Sequence, residues 1–194
     1  MFRSVSADEL LRDARQATGT HNVREAVREL TLHALRSRPL TAAHIATVAR
    51  TVGEGIESSV VPPTAPVRET HGGAWAGLED AVGEALLAVE LAAREFAEGR
   101  AWLPGPDRER LAAEFAQLEL ALGEGWGRPR RTPPVLKARL EAAASHLRQA
   151  PPSGTVPVAV PSADPACSAF SSVASGVLVG LSEHGRRSAA HASH

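Results

Sequence analysis

The sequence predicts an all-α protein, and three observations carry this expectation. Apolar residues recur at three- and four-residue intervals along most of the 194 residues. Capping residues stand in front of these stretches, as where Ser6 precedes Glu9 in the spacing of a capping box. The stretch TVPVAV alternates like a strand, but it is interrupted by proline. We therefore expect a bundle of amphipathic helices with a long central helix, a proline-rich tether and a C-terminal docking helix.

Start signals place the helices along the chain. Asn22 with Glu25 fits a second capping box, and Thr41 is suited to cap the third helix. Thr132 and Asp164 each precede a proline at the first helical position. The predicted helices are 7–17, 22–37, 41–58, 73–99, 107–123, 133–149 and 165–183.

The fourth helix is predicted to be the centre of the bundle. From Trp75 to Phe96 its apolar residues follow the alternating three- and four-residue steps of a heptad seam. Leu86, Leu87 and Leu91 widen this stripe, so the helix needs partners on more than one side.

Glycines occur inside two of the predicted helices, in VGEGIE at 52–57 and in VGEALL at 82–87. A glycine in a helix costs about 0.5–1 kcal/mol relative to alanine. We expect close approach of a neighbouring helix to offset this cost.

Composition shifts divide the chain into four parts. Residues 1–150 are expected to form the helical bundle, in which a boundary between two halves can fall at 59–72. A proline-rich linker follows at 151–164, then a tethered amphipathic helix at 165–183 and a disordered tail at 184–194.

Composition and motifs argue against most enzyme classes. The formal net charge of −1 gives no overall attraction to nucleic acid or anionic lipid. One cysteine excludes an internal disulfide, and the eight histidines lack metal-ligand spacing. No phosphate loop or nucleophile motif occurs. We predict no catalytic residue, metal site or cofactor, and the N-terminus lacks the apolar region of a signal peptide, so a cytoplasmic bacterial protein is expected.

One basic segment is a candidate nucleic-acid contact. Its stretch Gly127-Arg128-Pro129 resembles the AT-hook, which lies in the minor groove of A·T-rich DNA, although Trp126 stands where that element has an arginine. The alternative is a solvated linker whose arginines follow the C-terminus of a helix, where cations are favoured. The candidate residues are Arg128, Arg130, Arg131, Lys137 and Arg139.

The last predicted helix contains an uncharged run of 17 residues, 166–182. Five serines make it too polar for a convincing membrane span. Small residues four apart form a ladder suited to close helix contact, at Ser168, Ser172, Gly176 and Gly180. Large apolar residues form a separate stripe, at Phe170, Val173, Val177, Leu178 and Leu181. We expect this helix to dock onto its own bundle, a second subunit or an apolar surface, and to supply association rather than fold stability.

The chain also resembles phasins, the helical proteins that coat bacterial polyhydroxyalkanoate granules. The resemblance lies in the Ala- and Leu-rich helices at 73–99 and 107–123, in the absence of catalytic motifs, and in apolar stripes such as Leu86, Leu87, Val89 and Leu91. It implies a non-enzymatic binder of a granule or lipid surface that forms homo-oligomers. The alternative is a helical adaptor for a protein partner, or for nucleic acid through 128–139.

Overall fold

A computed structural model shows the protein as an all-helical chain. It describes residues 6–59, 65–98, 105–124, 132–149 and 164–192, and within these the side chains of 6–59, 71–98, 106–123, 132–149 and 168–184. These residues contain no strand, which confirms the predicted fold class. The helices are α1 Ala7–Ala17, α2 Val23–Arg36, α3 Ala42–Ser58, α4 Ala65–Ala97, α5 Gly105–Glu124, α6 Pro134–Gln149 and α7 Asp164–Ala192.

The caps of the first three helices show how local sequence sets their starts. Ser6 Oγ accepts a hydrogen bond from Glu9 N at 3.2 Å, and Glu9 Oε2 accepts one from Ser6 N at 3.0 Å. This is the predicted capping box. Thr41 Oγ1 accepts from His44 N at 3.1 Å, as predicted. The second predicted capping box is wrong, because the Asn22 side chain makes no capping hydrogen bond.

Two helices extend by eight or more residues beyond one end of their predicted ranges. Helix α4 begins at Ala65, eight residues before position 73, so 65–72 is helical rather than a boundary. Proline is tolerated there because Pro66 lies in the first turn, where a helix needs no intrahelical donor. Helix α7 continues to Ala192, which corrects the disordered tail predicted from 184. No proline follows Ser182, and alanine and arginine are good helix formers. The predicted linker 151–164 lies outside the described residues except for its last position.

Helix α4 is the centre of the core, as predicted. It packs against α2, α6, α7 and α3. Leu78, Val82 and Val89 are fully buried, and Trp75 and Phe96 are almost so. The buried apolar residues of all the helices form one cluster around it. A helix with partners on several sides needs the wide apolar stripe that its sequence carries.

Glycines let helices approach closely, as predicted for two of them. A Cβ at Gly55 of α3 would lie 2.6 Å from Ala14 Cβ of α1, and one at Gly83 of α4 would lie 3.3 Å from Leu136 of α6. The closest approach is at Gly77, where a Cβ would collide with the carbonyl oxygen of Arg24. The α2–α4 contact therefore depends on the absence of a side chain at Gly77.

Ion pairs run beside this close α2–α4 contact. Arg24 makes two hydrogen bonds to the Asp80 carboxylate, of 2.7 and 3.1 Å, and Arg28 makes one of 2.7 Å to Glu84. The Arg24 pair is solvent-exposed, so its contribution to stability is small. Together the two pairs align successive turns of α2 with successive turns of α4.

His44 connects α3 to the end of α2 and should make stability depend on pH. Its Nε2 lies 3.2 Å from the Ala34 carbonyl oxygen. Burial, together with the nearby Arg38 charge, lowers the pKa of His44 below its usual 6.5. Below that pH the unfolded chain takes up a proton that the folded chain resists, so the free energy of unfolding should fall as pH decreases.

The measurement is urea unfolding at a pH above and a pH below 6.5. We expect His44→Gln, which can still donate to the Ala34 carbonyl, to have a weaker pH dependence than the natural chain. His33→Gln on the exposed side of α2 is the control and should keep the full dependence. An unchanged pH dependence in His44→Gln would contradict the prediction.

Candidate functional site

Helix α7 lies in a groove formed by α2, α4 and α5, with most of its contact to α4. We call this surface the α7 groove. Phe170, Ala174 and Leu178 point into it and are fully buried. The Phe170 ring packs between two other phenylalanines, with ring centroids 5.5 Å from Phe96 and 5.9 Å from Phe115. In this docked position helix α7 therefore places apolar side chains in the core, and the expectation that it supplies association rather than fold stability stays a prediction.

Two serines fix α7 against the corner between α2 and α3. Ser175 Oγ accepts a 3.0 Å hydrogen bond from the backbone N–H of Leu40, and Ser182 Oγ accepts one of 3.0 Å from Arg36 Nη1. Each hydroxyl also donates to a carbonyl of its own helix. Ser182 is 1% exposed, so these polar groups belong to the docking contact. Sequence reasoning missed them, although Ser171, Ser175 and Ser182 share one helix face.

The apolar stripe of α7 is rotated relative to the face that enters the groove. At about 100° per residue, the mean direction of the stripe differs by about 40° from that of Phe170, Ala174 and Leu178, the three residues that fill the groove. Ser171 and Ser182 are buried on one side of these three residues, while three apolar residues of the stripe lie at the opposite rim. These three are only partly buried and are spaced four residues apart. We call them the apolar row: Val173, Val177 and Leu181.

The small-residue ladder faces away from the groove. Ser168, Ser172, Gly176 and Gly180 are all exposed. A Cβ at either glycine would meet no atom within 4 Å, so the ladder does not serve helix packing in this chain. Val179 lies on the same side and is 40% exposed. The predicted binding residues are thus split: Phe170 and Leu178 fill the groove, the apolar row lines its rim, and both glycines face solvent.

The structure describes two of the five basic candidates, and both make ion pairs with other helices. Lys137 Nζ lies 3.2 Å from Glu119 of α5, and Arg139 Nη1 lies 3.2 Å from Glu90 of α4. The hydrogen bond that Lys137 donates to the Glu119 carboxylate raises the pKa of Lys137. Both side chains therefore already have carboxylate partners on other helices, although that of Lys137 is 52% exposed. Arg128, Arg130 and Arg131 lie outside the described residues.

Other kinds of site find little support in the part of the chain that the structure describes. There, no three His, Cys, Asp or Glu residues are grouped so that they could hold a metal ion. No described helix combines the length and the apolar character that a membrane span requires. A cleft of about 530 Å³ between α5 and α6 is lined by three charged residues and three apolar ones, Arg108, Glu109, Arg148, Ala112, Ala113 and Leu147.

The fold and the site define an all-helical bundle whose C-terminal helix occupies a groove on the preceding helices. The chain belongs to a family of unknown function, DUF6781, whose model matches residues 3–125. The match spans α1 to α5 and thus includes all three helices that form the α7 groove, whereas α6 and α7 lie beyond it. No curated protein and no solved structure matches the chain.

Proposed function

We propose that this protein is a non-enzymatic binding protein that associates with an apolar surface, or with further copies of itself, through helix α7. The observation that carries the proposal is the rotation of α7. Its apolar row of Val173, Val177 and Leu181 lies at the rim of the groove, partly exposed, while serines occupy buried positions. These partly exposed side chains are the apolar surface that docked α7 offers to a second contact.

The connection between α6 and α7 is long enough in sequence to reach beyond the groove. Fourteen residues, 150–163, join the two helices, and four of them are prolines. A fully extended chain of that length reaches at most about 50 Å. Such a connection lets α7 remain tethered at high local concentration while it contacts a surface or another subunit.

Among apolar surfaces, we propose a polyester granule or a lipid layer inside the cell, with the protein as a phasin-like, oligomeric coat. The stripe of α4 that contributes to the resemblance to phasins is buried in the bundle, since Leu86 is 1% exposed and Val89 is fully buried. In this proposal the external contact is therefore assigned to the apolar row of α7 and not to the stripe of α4.

The experiment replaces part of the apolar row without emptying the groove. Val173→Ser with Val177→Ser should abolish co-sedimentation with purified granules or lipid vesicles, or abolish self-association, because both side chains are only partly buried. Leu120→Ser with Val135→Ser is the matched control, since it removes two apolar residues that are 61% and 64% exposed on α5 and α6.

The readouts are co-sedimentation and analytical ultracentrifugation, with circular dichroism to verify the fold. The control pair should behave like the natural chain in each assay. If the Val173 and Val177 pair also does so, while the natural chain associates, the contact lies elsewhere and the proposal is wrong. An absence of any association in the natural chain would equally refute it.

A further inference from the structure

Resting on the proposed function, we infer that helix α7 binds a second copy of this chain by exchange: in a closed dimer, each α7 lies in the α7 groove of the other copy. The partner is defined by the groove itself, which accepts a helix of this sequence. Exchange of an identical element is a low-cost route to a dimer, because it reuses contacts that the single chain already makes.

The contacts between α7 and its groove can be made equally well by two separate chains. The Phe170 ring packs against Phe96 of α4 and Phe115 of α5. Ser175 Oγ accepts its hydrogen bond from the N–H of Leu40, 135 positions away in the sequence. None of these partners belongs to the connection at 150–163 that precedes α7. The same interactions therefore form whether helix and groove belong to one chain or to two.

The connection leaves α6 and enters α7 at the same end of the bundle. The last turn of α6 lies beside the first turns of α5, where Leu147 and Arg148 share a cleft with Arg108. The Phe170 ring, in the second turn of α7, packs between α5 and the last turn of α4. Seven residues, 98–104, separate the end of α4 from the start of α5. Both ends of the connection thus lie around this junction, about two helix-packing distances or 20 Å apart.

The proline-rich sequence of the connection suits a longer distance than this gap. Four of the fourteen residues at 150–163 are prolines. Proline-rich linkers favour an extended conformation of about 3.1 Å per residue, in which fourteen residues span about 43 Å. The local concentration of a tethered group is highest where the length of the tether matches the distance to its site. The groove of a second copy can lie at that distance, whereas the groove of the same chain cannot.

Reciprocal exchange closes the assembly at two copies. Each α7 groove of the dimer is filled, so no groove remains for a third copy. Monomer and dimer contain the same contacts between α7 and the groove, and the connection and the protein concentration set the equilibrium between them. Because α7 must leave one groove before it enters another, interconversion should be slow compared with mixing.

Cysteine cross-linking between two chains tests exchange directly. The 3.0 Å hydrogen bond from Leu40 N to Ser175 Oγ places the two Cα atoms at most about 7 Å apart, which a disulfide can bridge. One full-length chain carries Leu40→Cys and the other Ser175→Cys, and both carry Cys167→Ser. After equilibration at high concentration, oxidation should link the two chains. In the control mixture, Ser172→Cys on the exposed side of α7 replaces Ser175→Cys and should give several-fold less linked product.

A single chain with both Leu40→Cys and Ser175→Cys verifies that the substituted protein folds and that the two positions can be linked. If this chain forms the disulfide within itself, while the mixture forms none between chains, α7 docks only in its own groove and the inference is wrong. Association of the natural chain with granules, vesicles or further copies would in that case still support the proposed function.

Replacement of the prolines tests the connection and leaves helix and groove unchanged. A flexible chain of fourteen residues has a root-mean-square length of about 20 Å, which matches the gap to its own groove. The dimer fraction in analytical ultracentrifugation should therefore fall several-fold when four changes are combined: Pro151→Gly, Pro152→Gly, Pro157→Gly and Pro161→Gly. The control, Pro62→Gly with Pro63→Gly between α3 and α4, should leave it unchanged.

Two results of the sedimentation measurement overturn the inference. One is an equal dimer fraction in the natural chain and in the variant with four glycines. The other is a natural chain that stays monomeric at every concentration. Binding of such a monomer to granules or vesicles would leave the proposed function intact.

Discussion

Gly77→Ala should lower the free energy of unfolding by about 3 kcal/mol, near the upper end of the usual cost of overpacking. The added Cβ would collide with the Arg24 carbonyl oxygen, which is backbone and cannot move without its helix. Helix α2 would have to shift away from α4. The shift would strain the Arg24–Asp80 and Arg28–Glu84 ion pairs and loosen the contact around Leu78.

Chemical denaturation of Gly77→Ala and Gly72→Ala measures this effect within one helix. Gly72 is exposed and a Cβ there would meet no atom within 4 Å. Its replacement should therefore stabilise the chain by about 0.5–1 kcal/mol, which is the ordinary gain from removing a helical glycine. Similar effects of the two substitutions would mean that α2 and α4 do not approach as closely as the structure shows.

The helices could be predicted well because their signals are local. Ser6 and Thr41 fix where α1 and α3 begin through bonds to residues three positions ahead. The central position of α4 could be predicted because its apolar stripe is too wide to be covered by one neighbouring helix. Asn22 shows the limit of such local prediction. It is a favoured capping residue and stands three positions before Glu25, yet its side chain makes no capping hydrogen bond.

The candidate site could be predicted only in part, because its geometry depends on contacts distant in sequence. The sequence identified α7 and its two faces. It could not give the rotation of the helix, which depends on Leu40 and Arg36, residues 135 and 146 positions away from their serine partners. Nor could the sequence show that the ring of Phe170 packs against the rings of Phe96 and Phe115. The serines of α7 argue against a membrane span by their polarity, and two of them also anchor the docked helix.

Phe170→Ala should decide whether α7 is a permanent part of the core or a helix that leaves it. Loss of a buried phenylalanine costs about 3–5 kcal/mol where the surrounding structure must stay in place. If α7 undocks as a unit, the effect on the rest of the bundle cannot exceed the free energy with which α7 docks. The bundle would then keep most of its stability once α7 is released.

Native-state hydrogen exchange separates these two cases, because local opening and global unfolding have different free energies. In the natural chain we expect the amides of α7 to exchange through an opening that costs less free energy than the one exposing the amides of α4. In Phe170→Ala, the opening free energy should fall further in α7 and change little at Leu78 and Val89, the centre of α4. Leu140→Ala on α6, another buried position, is the comparison and should lower the protection of α4 itself. If Phe170→Ala lowers the protection of α4 and α7 equally, α7 opens only when the whole chain unfolds, and the separate release of α7 on which its exchange depends does not occur.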